Sequence, residues 1–450
     1  MNRFKQLWSD LHSSLWFLPS LIVAGSVALA MALIEVDISV SDELLAKWPR
    51  LFGAGAEGAR GMLSTIAGSM MSVVGVTFSM TLVALSLASS QFSSRILRTF
   101  MGSRSTQGVL GIFAGIFTYC LIVLRTVRGG DEGVFVPSLA VFVGVILAIG
   151  GVGLLIFFIH HIASSIQASS IIASVTHETT EAIDRLFPER LGHGPPEDDD
   201  DPAPHLPPGR KWCAISAKKS AYIQSVDNEI LLRIARENKT LVRMEHAVGE
   251  FVVEDTTLVS LAADGPPDEK VIDDLRCAFA LSRYRTVHQD VGFGIRQIVD
   301  VALKALSPGI NDTTTATTCV EYLTAILARL AVRRIPSNYR HEEGELRVIA
   351  LGLSFESLLA ESFDEIQSSS KGNLTVMLRM LEGLQTLAGL TANPPHRRVL
   401  GEQADQIAEL AERTLEFPHE QTRFESRLAQ VREALKAELV LPIYEPPAEA

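Results

Sequence analysis

Four long apolar runs lie in the first third or so of the chain, and the rest of it mixes apolar and polar positions as water-soluble domains do. A helix that crosses a hydrocarbon core of ~30 Å needs about 20 mostly apolar residues, because its backbone polar groups must be satisfied within the helix. The runs that meet this requirement cover about Leu15–Ile34, Met62–Ala88, Val109–Leu124 and Val134–Ile159. The pattern predicts an α-helical membrane protein with a four-helix transmembrane domain in residues 1–162.

Basic residues in the short loops indicate the direction of the spans. The loop after the second run carries Arg95, Arg98 and Arg104 and no acidic residue, whereas the loop after the first run mixes both charges. Because Lys and Arg are enriched in cytoplasmic loops, we expect the N-terminus and the C-terminal domain to be cytoplasmic. The membrane is then a bacterial inner membrane, crossed several times.

The first run has a second interpretation, as a signal peptide. Ala28-Leu29-Ala30 has the small-x-small pattern of a cleavage site. Trp8 and Trp16, however, lie where the interfacial anchors of a retained span would lie. We favour the retained span, and cleavage would leave the later topology unchanged.

Small residues recur along the second run at steps of three, four or seven, which places them on one helix face. They are Gly61, Ser64, Gly68, Ser72, Gly75, Ser79, Ser86 and Ser90. Similar spacing occurs in the third run, at Gly108, Gly111, Gly115 and Thr118, and in the fourth, at Gly144, Ala148 and Gly151. One interpretation is helix packing, because small residues let backbones approach closely. The other is a narrow, weakly polar pore built around an oligomer axis.

The pore interpretation assigns particular residues to the path. Its lining would be Ser64, Gly68, Ser72, Gly75, Ser79 and Ser86, and its cytoplasmic mouth would be Gln91, Phe92, Arg95 and Arg98. No Asp, Glu, Lys, Arg or His lies near the middle of any run. Since proton-coupled and many ion-coupled carriers place an ionisable residue there, a channel or a structural anchor is favoured over a carrier.

The region after the spans divides by composition. Residues 163–187 are predicted to extend the fourth helix, and residues 188–209 form an acidic, Pro-rich segment of the kind that makes a disordered linker. A small α+β module is predicted in residues 210–263, followed by a mostly helical cytoplasmic domain in residues 264–441. The helices and the strand predicted in the last domain are Asp268–Leu281, Val287–Leu306, a helix from about Thr313, the strand Leu346–Leu353, then Phe355–Gln367, Leu374–Leu390, Gln403–Leu415 and Arg423–Leu439.

Polar residues gather around a turn between two of these helices. They are Asp290, Arg296, Gln297, Ser307, Asn311 and Asp312. Pro308 and Gly309 force the turn, and Asn311 or Asp312 can cap the helix that begins near Thr313. Asp290, Gln297 and Asn311 would form an anion- or amide-binding site with the helix N-terminus. The alternative, which we favour, is a structural turn locked by buried polar contacts.

Composition excludes several functions. The net charge of −12 lacks the basic footprint of nucleic-acid binding. The four cysteines form no CxxC pair, which predicts neither a metal site nor a disulfide framework. HExxH, Walker A, GxGxxG and GxSxG motifs are absent, so we expect no enzyme chemistry and no cofactor.

Three stretches together resemble a known family. They are Ser90-Gln91-Phe92-Ser93-Ser94-Arg95, Phe158-Ile159-His160-His161-Ile162, and Phe293-Gly294-Ile295-Arg296-Gln297 together with Ser307-Pro308-Gly309-Ile310-Asn311-Asp312. The chain is similar over nearly its whole length to a widespread bacterial family of four-helix membrane proteins described only as a domain of unknown function. The resemblance implies the architecture and supplies no mechanism.

Two functions from different classes follow from these patterns. We favour a homo-oligomeric ion channel or pore, in which the second span lines the path and the cytoplasmic domain assembles or gates it. The alternative is a membrane-anchored sensor or scaffold whose cytoplasmic domain binds a ligand or a protein partner. Expected partners are the lipid bilayer, further copies of the chain, and a small ion or ligand.

Overall fold

The computed structural model describes residues 16–39, 55–91, 104–129, 135–165, 167–188, 211–263, 265–342 and 344–437. The chain divides into two compact units, Met1–Ile171 and Ile172–Ala450. Nearly all of the predicted linker at 188–209, and the residues from 438 onward, lie outside the described residues.

The first unit contains four helices that are long and apolar enough to cross a membrane. Their bounds are α1 Phe17–Ser39, α2 Ala56–Gln91, α3 Arg104–Thr126 and α4 Ser138–Ser165. Each contains most of one predicted run and extends beyond it at one or both ends. The extension of α3 at its start is polar, which is why the apolar pattern alone made this span look short.

Polar contacts hold together one end of the four-helix unit. The Asp37 carboxylate, near the end of α1, accepts hydrogen bonds from the amides of Leu139 at 3.0 Å and Ala140 at 2.9 Å, and so caps α4. Arg60 of α2 donates from Nη2 to the Val127 carbonyl at 2.9 Å, just past the end of α3. The ends of α1 and α3 therefore lie beside the starts of α2 and α4, and successive spans run in opposite directions.

A new helix begins close after α4. We predicted one continuous helix through about Leu186, but α4 ends at Ser165 and α5 covers Ala168–Leu186. The Gln167 carbonyl accepts hydrogen bonds from the Ser170 and Ile171 amides, which starts a separate helical ladder.

Two sheets form the α+β part of the second unit. One has the order β1-β5-β3-β8-β7 and the other has the order β4-β2-β6. The bounds are β1 Lys211–Ser216, β2 Ala221–Val226, α6 Asn228–Glu237, β3 Val242–Met244, β4 Phe251–Val252, β5 Thr257–Ala263, α7 Glu269–Cys277, β6 Phe279–Ser282, β7 Tyr339–Glu342 and β8 Glu345–Ile349. The domain boundary predicted after residue 263 is therefore wrong for the sheets, because β6, β7 and β8 come from beyond it.

The predicted helix Asp268–Leu281 is wrong at its end. Residues from Phe279 to Ser282 form β6, which pairs antiparallel with β2, placing Ile223 opposite Leu281. This partner lies more than fifty residues earlier, and local periodicity carries no information about it. The strand β7 was not predicted at all, and β8 ends before the predicted Leu353.

Helices make up the rest of the second unit. They are α8 Val291–Ala305, α9 Thr313–Ala331, α10 Phe355–Ser369, α11 Leu374–Ala388, α12 Pro394–Thr414 and α13 Pro418–Lys436. The start of α12 precedes the predicted Gln403 by more than two turns. Proline suits the first turn of a helix, and Arg397 is held there by donating to carbonyls that include those of Ala388 and Ala434.

Candidate functional site

One side of α2 packs against the rest of its unit. Its buried residues are Ala59, Leu63, Ala67, Met70, Thr77 and Ala84. Their spacing of mostly three, four or seven keeps them on one face of the helix. This face joins the core formed with α3 and α4, in which Phe113 and Tyr119 are fully buried.

The small residues of α2 lie on its opposite side. We define the small face as Ser64, Gly68, Ser72, Gly75, Ser79 and Ser86, all of which are exposed in the single chain. A Cβ built on Gly68 or Gly75 would meet no atom within 4 Å, and the same holds for Gly61 beside them. Among the residues that the structure describes, therefore, nothing packs on the glycines of this face.

The glycines of the neighbouring spans behave differently. A Cβ on Gly111 of α3 would meet the Cα of Pro19 at 2.8 Å, and one on Gly151 of α4 would meet Met70 at 3.4 Å. Gly144 is packed in the same way against Leu63 at 3.4 Å. Helix packing thus accounts for Gly111, Gly144 and Gly151, whereas Gly108 of α3 and the glycines on the small face of α2 meet no described residue.

Several hydroxyl groups on α2 donate to backbone carbonyls of the same helix. Ser72 on the small face donates to the Gly68 carbonyl at 3.1 Å, and Thr65 beside it donates to the Gly61 carbonyl at 2.8 Å. Such bonds let a hydroxyl reside in an apolar medium without a partner on another helix. The oxygen keeps acceptor capacity, so the face is weakly polar and uncharged.

Large apolar side chains flank the small face. Met71, Phe78 and Val83 are 54%, 55% and 57% exposed. The cytoplasmic mouth predicted beyond it is described only in part: the backbone of Gln91 ends α2, while Phe92, Arg95 and Arg98 lie outside the described residues.

Asp290 begins α8 as its N-cap. Its carboxylate accepts a hydrogen bond from the Phe293 amide at 2.9 Å and receives the Arg285 guanidinium in a two-point contact at 2.8 and 3.1 Å. The side chain is 3% exposed. Gly249, at φ +91°, approaches this pair closely, and an added Cβ would meet Arg285 at 2.9 Å. These contacts occupy the N-terminus of α8 with the protein's own charges.

Arg296 links α8 to α10. It donates from Nε to Asp300 at 2.8 Å and contacts the Glu365 carboxylate with both terminal nitrogens. Hydrogen bonding to Glu365 raises the pKa of Arg296. Burial raises the pKa of the nearby Glu361, with Asp290 and Glu365 adding to the effect. Gln297 is almost completely buried. The acids outnumber the arginines here, so the cluster is unsuited to an anion.

The turn after α8 is held by local bonds. Ser307 donates to the Lys304 carbonyl at 2.7 Å, and Asn311 adopts a left-handed φ of +49°. Asp312 caps α9, accepting from the Thr315 amide at 3.0 Å and the Thr315 hydroxyl at 2.6 Å. These bonds lower the pKa of Asp312, so its ionised carboxylate occupies the place where an external anion would bind.

Asp290 and Asp312 are not brought together. They lie beyond opposite ends of α8, whose 15 residues span about 22 Å at ~1.5 Å per residue. The single site proposed from Asp290, Gln297 and Asn311 is therefore not assembled. Each end instead has the features of a capped, structural turn.

A further charged cluster was missed from the sequence. Asp184 of α5 receives Arg329 at 2.8 and 2.5 Å and Arg333 at 2.7 Å, both from α9 or its end. Arg333 is 8% exposed and also donates to the Pro188 carbonyl at 2.8 Å. The spacing of four between the two arginines, which is typical of one helix face, was the available signal, although Arg333 lies two residues beyond the end of α9. This cluster ties α5, the helix that follows the last span, to the second unit.

Thr179 provides the second attachment of α5. It is fully buried, and a Cβ on Gly294 of α8 would lie 2.9 Å from its methyl group. The glycine of the Phe293-Gly294-Ile295-Arg296-Gln297 stretch thus marks a close helix crossing. Among the described residues, no group of three or more His, Cys, Asp or Glu side chains is arranged to hold a metal ion.

Comparison with known proteins agrees with this architecture. The chain is 32% identical over 435 residues to an uncharacterized protein of Mycobacterium tuberculosis (strain ATCC 25618 / H37Rv), covering 94% of this chain and 80% of that protein. An uncharacterized protein of Mycobacterium bovis (strain ATCC BAA-935 / AF2122/97) matches with the same identity and coverage. No solved structure matches the chain.

A family model also matches, over residues 12–386, and its description reads "Predicted membrane protein (DUF2254)". The match includes all four spans and continues through α10 into α11. The four apolar helices, the mixed region that follows and the extent of this match lead to one conclusion: the chain belongs to the DUF2254 family of predicted membrane proteins.

Proposed function

We propose that this protein is a homo-oligomeric ion channel or pore, with α2 of each copy lining the path. The observation that carries the proposal is the small face of α2, which lies opposite the packed side of the helix and is exposed within the described part of the subunit. A helix face turned only to lipid has no need of such residues, since large apolar side chains serve there, as Ile149 and Ile156 of α4 do at 68% and 66% exposure.

The chemistry of the face suits conduction of small ions. Narrow pores commonly gate through apolar constrictions, and small side chains leave the axis open. Gly68 and Gly75 would leave the widest sections, and the serine hydroxyls would offer acceptor oxygens. From Ser64 to Ser86 the face extends about 33 Å at ~1.5 Å per residue, comparable to the ~30 Å hydrocarbon core.

The proposal includes a direction and a location. By the excess of positive charge typical of cytoplasmic loops, the basic loop with Arg95 and Arg98 supports a cytoplasmic location for the end of α2, at a bacterial inner membrane. Positive charge at that mouth favours anions by simple electrostatics. The second unit would assemble or gate the path, and the proposal includes no catalytic role, cofactor or nucleic acid.

Planar-bilayer recordings test the proposal. Purified full-length protein should conduct, and Gly75→Leu or Ser72→Leu should reduce the current several-fold because each puts a bulky side chain into the path. The matched control is Gly25→Leu. Gly25 is also a span glycine with no atom within 4 Å of an added Cβ, but it belongs to α1. The current through the Gly25→Leu protein should therefore equal that of the unchanged protein.

Oligomeric state must be measured on the same samples by chemical cross-linking. Oligomers that are well folded yet silent in bilayers would refute the channel and favour a sensor or scaffold. Equal currents from Gly75→Leu and the unchanged protein would show that α2 does not line the path. A chain that stays monomeric at every concentration would refute the homo-oligomeric assembly.

A further inference from the structure

An open groove lies between α2 and α4 on the outer surface of the first unit. It encloses about 660 Å³, and its walls include Gly58, Thr65 and Ser69 from α2 and Val145, Ala148 and Val152 from α4. No wall residue carries a charge. The α2 wall also includes Met62, Ile66 and Met70, so the groove has an apolar lining with two hydroxyls.

The groove occupies only one half of the membrane. Its α2 wall extends from Gly58 to Met70, while the candidate span runs from Ala56 to Leu87 and has its midpoint near Met71. On α4 the wall ends at Val152, close to Gly151, which packs on Met70. The groove therefore runs from the middle of the bilayer to the side where α2 begins.

The length of the groove favours an acyl chain over a transmembrane helix as its occupant. The α2 wall spans about 18 Å at ~1.5 Å per residue, close to half of a ~30 Å hydrocarbon core. A transmembrane helix of another copy, lying in a cleft between two spans that run in the same direction, would follow them through the whole membrane. One acyl chain reaches from a headgroup to the midplane and no further.

We propose that this groove binds an acyl chain of a phospholipid from the leaflet on the side where α2 begins. A cleft in an apolar surface costs dispersion contacts when it is empty, and a lipid tail is the apolar molecule that surrounds it. Thr65 gives its hydroxyl proton to the Gly61 carbonyl, so it presents no unmet donor to a hydrocarbon chain. The inference stands independently of conduction through α2.

Photo-cross-linking tests the site in the full-length protein. The protein is reconstituted into vesicles of phosphatidylethanolamine and phosphatidylglycerol containing a phospholipid with a diazirine on one acyl chain. After illumination, mass spectrometry should locate adducts mainly on residues 58–70 and 145–152. Ala148→Phe should reduce these adducts several-fold by filling the groove, and so should Ser69→Phe, a change at an exposed position that the fold can accept.

The matched control is Gly150→Phe, on the same helix. Gly150 is exposed and an added Cβ there meets nothing within 4 Å, but it does not line the groove. Its adducts should equal those of the unchanged protein. The proposal would be overturned by adducts spread evenly over exposed positions such as Ile156 and Phe157. It would also be overturned if Thr65→Cys formed disulfides between copies while the groove gave no lipid adduct.

Discussion

Glycine has two opposite uses in this molecule. At Gly111 and Gly294 it removes a side chain so that another helix can approach, and at Gly68 and Gly75 it leaves space that none of the described residues fills. Sequence spacing is the same in both cases. A substitution therefore distinguishes them, because an added methyl group is harmful only where the space is already taken.

Gly294→Ala should destabilise the second unit, although alanine is the better helix former by about 1 kcal/mol. The new Cβ would meet Thr179 closer than van der Waals contact, and such overpacking costs about 1–3 kcal/mol. The midpoint of thermal unfolding of the purified protein should fall by several degrees.

Gly401→Ala is the control for this change. Gly401 lies inside α12, and an added Cβ would meet only Leu435, at an ordinary 3.7 Å. This variant should unfold at the same temperature as the unchanged protein or slightly higher. Equal midpoints for the two variants would show that α5 and α8 do not cross closely at Gly294.

The caps illustrate what single residues reveal in a sequence. Asn311 or Asp312 was predicted to cap the helix that begins near Thr313, and Asp312 does so, because cap chemistry is local. The partners of Asp290 were not predictable in the same way. Arg285 is near Asp290 in sequence, whereas Gly249 is brought beside these two side chains only because β4 pairs with β2.

The helix α5 is the element through which the second unit is connected to the last span. Asp184 attaches it to α9 through two arginines, and Thr179 attaches it to α8. These contacts all lie within the second unit, so the Asp184 cluster contributes to the stability of that unit.

Asp184→Asn should lower the stability of the second unit at neutral pH. The buried charge of Arg333 would lose its carboxylate partner, and the cost should be about 2 kcal/mol, below that of a fully buried pair because Asp184 is 38% exposed. Thermal unfolding of both proteins across pH gives the measurement, with Asp405→Asn as a control in an exposed ion pair.

The pH dependence of this difference has a definite sign. Hydrogen bonds from Arg329 lower the pKa of Asp184 in the folded protein, so the carboxylate stabilises the fold fully above its unfolded pKa of about 3.9. That contribution is lost as the pH falls through the folded pKa. The gap between Asp184→Asn and the unchanged protein should be constant from pH 7 to 5 and narrow below about pH 4; a gap that widens on acidification would contradict the assignment.

Elements were predictable where their own pattern defines them. The four spans were predicted from their length and apolarity, and α10 and α11 were predicted from their amphipathic spacing. The strand β6 was read as helix because Leu275 and Phe279 also fit a helical step, and only its pairing with β2 decides otherwise. The small face of α2 was visible as a stripe, but whether it is covered depends on how the other spans are arranged around it.

At the scale of the whole molecule, the four spans alternate in direction, so both ends of the transmembrane unit lie on one side of the membrane. The native Cys277 is exposed and belongs to the second unit. Arg128, in contrast, is exposed just beyond the end of α3, on the side where α2 and α4 begin. These two positions report the orientation.

A membrane-impermeant maleimide should label Arg128→Cys in intact cells, whereas Cys277 should react only after the cells are opened. The reason is the expected cytoplasmic location of the second unit. Cys213→Ser removes a partly exposed thiol from the background. Labelling of Cys277 in intact cells would reverse the orientation and place the Arg95 loop outside.

The capping of α4 by Asp37 has a consequence for how the protein is made. The carboxylate and its amide partners are separated by 102 and 103 positions in the chain. The first span is therefore synthesised long before the fourth, and during that interval the Asp37 carboxylate has no α4 amides to accept hydrogen bonds from. The bundle closes only when the last span enters, so a nascent chain arrested before Ser138 should remain an open target for membrane quality-control proteases, while one that has added α4 should become resistant.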